Sequence, residues 1–170
     1  MSMFDYKTYL IDEKMLSMRN TLVIKDEKNR ELGKAVKKFL ALQEEVEFID
    51  SQGKKVGAVK RKMVAATPAF EVYDQSKKRV ANIKKKIIAI GDDWWVEDSK
   101  GKKVLNVDGN ILDLEYKIKD KLGREVAMVS RKLFPIRDHY GVKIVGDADP
   151  LLVLATVVSI NMEKERKEKT

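Results

Sequence analysis

Asp149-Pro150-Leu151-Leu152-Val153-Leu154-Ala155-Thr156-Val157-Val158-Ser159-Ile160-Asn161-Met162 runs straight into Glu163-Lys164-Glu165-Arg166-Lys167. Aspartate followed by proline opens a helix, because the carboxylate accepts from free amides and proline lacks one of the amides that would be orphaned. Residues 151–160 leave such a helix without a polar face, so protein or lipid must surround it. A membrane span needs about twenty such residues. This run stops at ten and turns charged, which predicts a helix over about 150–164, a charged tail at 165–170 and a wrapping built from the first 148 residues.

That wrapping is legible as a repeat. Aspartates stand at 26, 50, 74 and 98, each 24 residues after the last, with a fifth at 120. Four and two residues before them come Leu22 and Ile24, Val46 and Phe48, Phe70 and Val72, Trp94 and Val96, Tyr116 and Ile118, the alternation of a strand with one buried face. Three residues after them come Asn29, Gly53, Lys77, Gly101 and Gly123. Aspartate first and glycine fourth suit a type I turn closed by a bulge. Lys77 departs from this, and a longer turn is expected there. Apolar residues resume at Leu32, Val56, Val80, Val104 and Val126, then at Ala35, Val59, Ile83, Val107 and Val129, so each repeat is a hairpin. Five hairpins, with further strands at 6–11 and 140–145, make twelve.

Twelve strands and one greasy helix account for each other. Eight strands close on an interior that side chains fill, whereas larger barrels leave a lumen. The expected fold is mainly β, a closed twelve-stranded antiparallel barrel of repeated hairpins enclosing a hydrophobic C-terminal α-helix. It forms one domain over 1–170, with strands over about 5–145. Gly33, Gly57, Ala81 and Ala127, seven residues after their aspartates, would let strands approach the helix; Leu105 is the exception.

The Asp-x-x-Gly hairpins, Met15-Leu16-Ser17 leading into Thr21-Leu22-Val23-Ile24-Lys25-Asp26, and Tyr140-Gly141-Val142-Lys143-Ile144 before Asp149-Pro150-Leu151-Leu152 together resemble the LURP-one-related family. The resemblance spans nearly the whole chain. It implies the tubby C-terminal-like fold, a closed barrel around a central helix, and it implies phosphoinositide-binding tubby domains and phospholipid scramblases as functional relatives. It carries no phosphoinositide-site motif to this chain, so no site residue is transferred.

Chemistry must be sought in the charges. Of 170 residues 36% are charged, and 35 Lys and Arg against 27 Asp and Glu leave +8, which favours anionic partners. Basic clusters recur late in each second strand, at Lys37-Lys38, Lys60-Arg61-Lys62, Lys84-Lys85-Lys86 and Arg131-Lys132, while the fourth repeat reads Asp108-Gly109-Asn110. In a meander these clusters share one rim. The helix should enter at the opposite, turn-bearing end and emerge through them, with the tail alongside. The expected anion site is therefore Lys60, Arg61, Lys62, Lys84, Lys85, Lys86, Arg131 and Lys132. Its partners would be an anionic membrane surface or a phosphorylated ligand. The alternatives are a protein partner, with the lysines serving solubility and strand-end protection, and nucleic acid, less favoured for want of a recognition helix or an RNA-binding sheet signature.

No enzyme is expected. Cys is absent, which removes disulfides, thiolate metal sites and cysteine nucleophiles. The single histidine, His139, reads as a loop residue, and no serine sits in a nucleophile elbow. Asp92-Asp93 and Asp147/Asp149 lack calcium-loop spacing and read as turn and cap residues. No cofactor and no metal is expected. Trp94 and Trp95 must face opposite sides of their strand, one in the core and the other partly covered by a lysine stem. Met1 to Tyr6 shows no signal-peptide pattern. The mature chain is expected to begin where the sequence does, in the cytoplasm, with peripheral membrane contact.

Overall fold

In the computed structural model, which describes residues 2–12, 20–39, 43–64, 67–88, 91–134 and 136–169, the chain is a closed antiparallel barrel threaded by one helix. The strands are β1 Thr8–Asp12, β2 Thr21–Lys25, β3 Glu31–Phe39, β4 Glu44–Asp50, β5 Lys55–Val64, β6 Thr67–Tyr73, β7 Arg79–Ile88, β8 Gly91–Asp98, β9 Lys103–Asn110, β10 Glu115–Asp120, β11 Glu125–Ser130 and β12 His139–Ile144. Each pairs with its neighbour in sequence, and β12 returns to β1 with Thr8 opposite Lys143 and Asp12 opposite His139. Closure leaves no strand edge to recruit another chain. Met15-Leu16-Ser17 lies outside the described residues.

The five aspartates build five equivalent turns. In each, the aspartate carbonyl accepts from the amide three residues on at 3.0 Å. Its Oδ1 accepts from the amides two and four residues on, as in Asp50 with Gln52 and Lys54, both at 2.9 Å. A register shift follows in every hairpin, for instance between Phe48 and Ile49. Lys77 does not lengthen its turn. It takes the left-handed conformation itself, at φ 66°, and donates to Asp74 O at 3.0 Å like the glycines in its place. The aspartate's three hydrogen bonds hold the turn even where a side chain must bear the left-handed strain.

Helix α1, Pro150–Lys169, fills the lumen. Asp149 Oδ1 accepts from Leu151 N at 2.9 Å and Asp149 O from Val153 N at 3.1 Å, the expected cap. Val153, Leu154, Ala155, Val157, Val158, Ile160 and Met162 join the inward residues of the strands in one core. Thr156 and Ser159 are buried too, and each hydroxyl donates back to the carbonyl four residues earlier at 2.7 Å, which is how a polar side chain survives there. The helix continues to Lys169 rather than ending near 164, because Glu, Lys and Arg are strong helix formers and the barrel mouth supplies partners for them.

Of the two glycines among these small residues, one has the expected role by direct contact, while Ala81 and Ala127 are buried in the same core as the helix. A Cβ on Gly57 would meet Leu151 Cδ1 at 3.0 Å, a helix contact, but one on Gly33 would meet Ile49 O at 2.5 Å and Met3 Sδ at 3.0 Å. The N-terminal segment therefore plugs this end. Met3 is buried within the 3-10 turn Met3–Asp5, Phe4 packs edge-on against Phe48 with centroids 5.8 Å apart, and the hydroxyl of Tyr9 donates to Met3 O and Tyr6 O at 3.0 Å. Burial raises the Tyr9 phenol well above its ordinary pKa.

Candidate functional site

Strand alternation splits the first three basic clusters, whereas Arg131, eleven past Asp120, and Lys132 lie exposed in the 3-10 turn Arg131–Leu133. Residues eleven past the turn aspartates, Lys37, Arg61 and Lys85, stand on the inward face, while their neighbours point out. Helix α1 leaves the barrel through this rim and brings carboxylates to the inward cations. Arg61 Nε donates to Glu163 Oε1 at 2.7 Å, Lys85 Nζ lies 3.7 Å from Glu163 Oε2 and 3.4 Å from Asp92 Oδ2, and Lys37 Nζ lies 3.4 Å from Glu165 Oε2 and 3.8 Å from Glu44 Oε2. Arg166 adds a 3.5 Å pair to Glu44. Lys37, Lys85, Glu163 and Glu165 are buried. The mouth is thus an ion-pair collar that clasps the helix.

The fourth repeat shows why it departs. Position eleven there is Gly109, at φ 130°, and a Cβ would meet Glu115 O at 2.7 Å and Tyr116 Cα at 2.8 Å. No cation fits. On that side the helix presents Lys164 instead, whose Nζ donates to Leu112 O at 3.0 Å.

The outward members of the clusters differ among themselves. Lys62 pairs with Glu71 at 2.9 Å and Lys84 with Glu97 at 3.1 Å. Lys60 sits over the Tyr73 ring, 4.7 Å from its centroid. Burial pushes the Glu71 and Glu97 carboxyls up, but hydrogen bonds from Lys62 and Tyr73 to Glu71, and from Trp95 and Lys84 to Glu97, outweigh it and hold both below the ordinary range. Lys86 and Lys132 are exposed and make no ion pair among the described residues. Exposed Arg131 donates from Nη1 to Asp113 O at 3.4 Å, and its amide to Glu115 Oε1 at 3.2 Å. Of the eight expected anion-site residues, then, Arg61 and Lys85 serve the helix and Lys62 and Lys84 the outer wall. Lys60 covers an aromatic ring, and Lys86, Arg131 and Lys132 face solvent.

Sequence reading missed a second property of this rim. Met63 (58% exposed), Ile87 (64%), Leu112 (68%) and Ile136 (42%) are all at this end. Met63 and Ile87 each continue, by two residues, the inward row of Arg61 and Lys85 to the ends of β5 and β7, where they still pair with β6 and β8 but β4 and β6 no longer pair on the other side. The signal was present, since the strand alternation can be extended beyond the barrel height, but only the structure says where the wall ends.

A family model described as LURP-one-related matches residues 7–161. The chain belongs to the LURP-one-related family. No curated protein matches it in sequence. An X-ray structure of a protein from Arabidopsis thaliana is similar to this LURP-one-related barrel, with a TM-score of 0.66 and 16% identity, covering 92% of this chain and 90% of that one. That likeness is one of fold.

The remaining candidates in this LURP-one-related chain have structural positions. His139 opens β12 rather than lying in a loop, its Nδ1 2.8 Å from Arg137 O and its Nε2 3.8 Å from Asp12 Oδ2, because closure onto β1 draws it into the sheet. Asp92 and Asp93 belong to β8 rather than to a turn. Trp94 is core, with its ring stacked 5.9 Å from Phe70. Trp95 is partly covered, its Nε1 donating to Glu97 at 2.8 Å and Lys103 Nζ lying 5.2 Å from its ring. Among the described residues no cluster of His, Asp and Glu could hold a metal, and no helix is long and apolar enough to cross a membrane.

Proposed function

We propose that the protein is a non-enzymatic binding module that meets anionic phospholipid surfaces end-on, through the rim where α1 emerges. One observation carries the reading: four large apolar side chains, Met63, Ile87, Leu112 and Ile136, project at the rim where Lys86, Arg131 and Lys132 face solvent. Apolar tips among lysines suit a headgroup boundary, where hydrocarbon is buried while ammonium groups stay beside phosphate. A purely soluble ligand would give the apolar tips nothing to bury against. The inward cations hold the helix and do not belong to the lipid surface, so a charge variant must spare Arg61 and Lys85.

The test is co-sedimentation with phosphatidylcholine vesicles, with and without phosphatidylserine, across a salt series. Binding to the anionic vesicles alone, weakening with salt, is expected. Lys86→Gln with Lys132→Gln removes about 1 kcal/mol per charge, about thirty-fold together. Ile87→Ser weakens binding to the same vesicles about tenfold or more. No sedimentation with either vesicle at low salt would exclude the membrane and leave the apolar rim to a protein partner.

A further inference from the structure

The opposite end of the barrel carries a charge pattern that the basic clusters of the rim do not include. Four residues after each turn aspartate stands a cation without exception: Arg30, Lys54, Lys78, Lys102 and Arg124. In the two flanking hairpins it is arginine, and its Nε closes on its own aspartate, Arg30 on Asp26 and Arg124 on Asp120, both at 2.8 Å. In the three central hairpins it is lysine. The aspartate there spends Oδ1 on two backbone amides, including that of the lysine itself at 2.9 to 3.0 Å. The ammonium groups of Lys54, Lys78 and Lys102 are exposed and make no ion pair among the described residues, and the same holds for Lys77 and Lys100 on the same turns.

Five lysines without an ion pair among the described residues thus sit on three consecutive hairpins, β4–β5, β6–β7 and β8–β9. Neighbouring hairpins are two strands apart, about 10 Å, so the three turns make an arc of about 20 Å. The turns are fully hydrogen bonded, so their backbone is ordered before any partner arrives. The other exposed residues of these turns are Gly53 and Gly101, and Ser51, Gln52, Gln75, Ser76 and Ser99, whose side chains can donate to phosphate oxygens.

We infer that this arc is a second binding surface, for the phosphodiester backbone of nucleic acid, contacted without regard to base sequence. About 20 Å matches a run of about six nucleotides of one duplex strand at about 3.4 Å each. The arc lacks apolar tips to enter a bilayer, and it lacks a helix or ribbon to read a groove, so the phosphates are the whole of the recognition. The inference is independent of the membrane reading of the other rim, because it uses different residues at the other end of the barrel.

Fluorescence anisotropy with a labelled 24-base-pair DNA duplex of arbitrary sequence tests it on the full chain. Five phosphate contacts give a log–log salt slope of about −4.5, or about a 500-fold loss of affinity between 50 and 200 mM salt. Lys54→Gln, Lys78→Gln and Lys102→Gln together flatten the slope by about 2.7 and leave the melting transition unchanged, while Lys86→Gln with Lys132→Gln leaves duplex binding as it was. A second, unrelated duplex sequence binds equally. No binding at 50 mM salt, or binding that the triple variant does not weaken, overturns the inference. So does loss of anionic-vesicle binding in the triple variant together with no nucleic-acid binding by the parent chain, since the arc would then be a lipid surface.

Discussion

Glu163 answers two inward cations on two strands, buried Lys85 and half-buried Arg61. Its Oε1 takes the Arg61 hydrogen bond and its Oε2 faces Lys85, which Asp92 also neutralises. Breaking a buried pair from one side costs more than the pair is worth, because the remaining charge is stranded away from water. Glu163→Gln is therefore expected to lower stability by about 3 kcal/mol in denaturant unfolding. Arg61→Met combined with Glu163→Met, which strands no charge at that pair, should return to within about 1 kcal/mol of the parent. A double variant as unstable as the single one would show that the loss does not come from the Arg61 pair but from packing or from Lys85, left to Asp92 alone. The clusters were visible in sequence. In the first three clusters the residue that turns inward was also legible, by counting eleven from the turn aspartate, but the carboxylates of α1 that meet it lie far along the chain.

At the scale of the element, α1 is stabilised as the centre of a closed wall. A helix that is apolar on all sides has little stability of its own in water, and its apolar residues owe their state to the strands around them. Leu154 is fully buried in that core. Leu154→Ala should cost about 2 to 5 kcal/mol by thermal or chemical unfolding, with the larger figure if the rigid wall cannot collapse onto the cavity. A change below 1 kcal/mol would contradict the close packing of helix against wall. The helix start was readable from Asp149-Pro150 because capping is local. Its end was not, because continuation to Lys169 depends on partners that the mouth of the barrel provides.

Across the whole molecule, carboxylates on the turns and the outer wall couple folding to pH. Backbone hydrogen bonds from Arg30 to Asp26 and from Lys102 to Asp98 lead the effects that hold these two groups below 3.8. Burial pushes Asp120 up, but the amide and guanidinium of Arg124 and the amide of Leu122 bring it below 3.8. Glu47, Glu71 and Glu97 are also pushed up by burial and end below 4.5, Glu47 through Lys38 and Lys55. All six are depressed in the folded state. Their contribution is therefore complete above the unfolded values and is lost as pH falls through the folded ones. Thermal melts should be flat from about pH 6 to 9 and should decline progressively below about pH 4.5. A melting temperature that rises on acidification from pH 5 to 3 would contradict this sign.

By itself the sequence determined the twelve strands, the five turns, the buried helix and the family, because each rests on short-range chemistry repeated many times: alternation with period two, an aspartate that satisfies its own turn, and a cap before a proline. Tertiary structure alone decided which cations remain for a partner. A lysine's neighbours along the strand face the other way, so whether it is neutralised depends on residues that strand register or the threaded helix bring beside it, such as Glu71 for Lys62 and Glu163 for Arg61. Where the wall ends, and so which apolar residues project past it, depends in the same way on how high the partner strands rise.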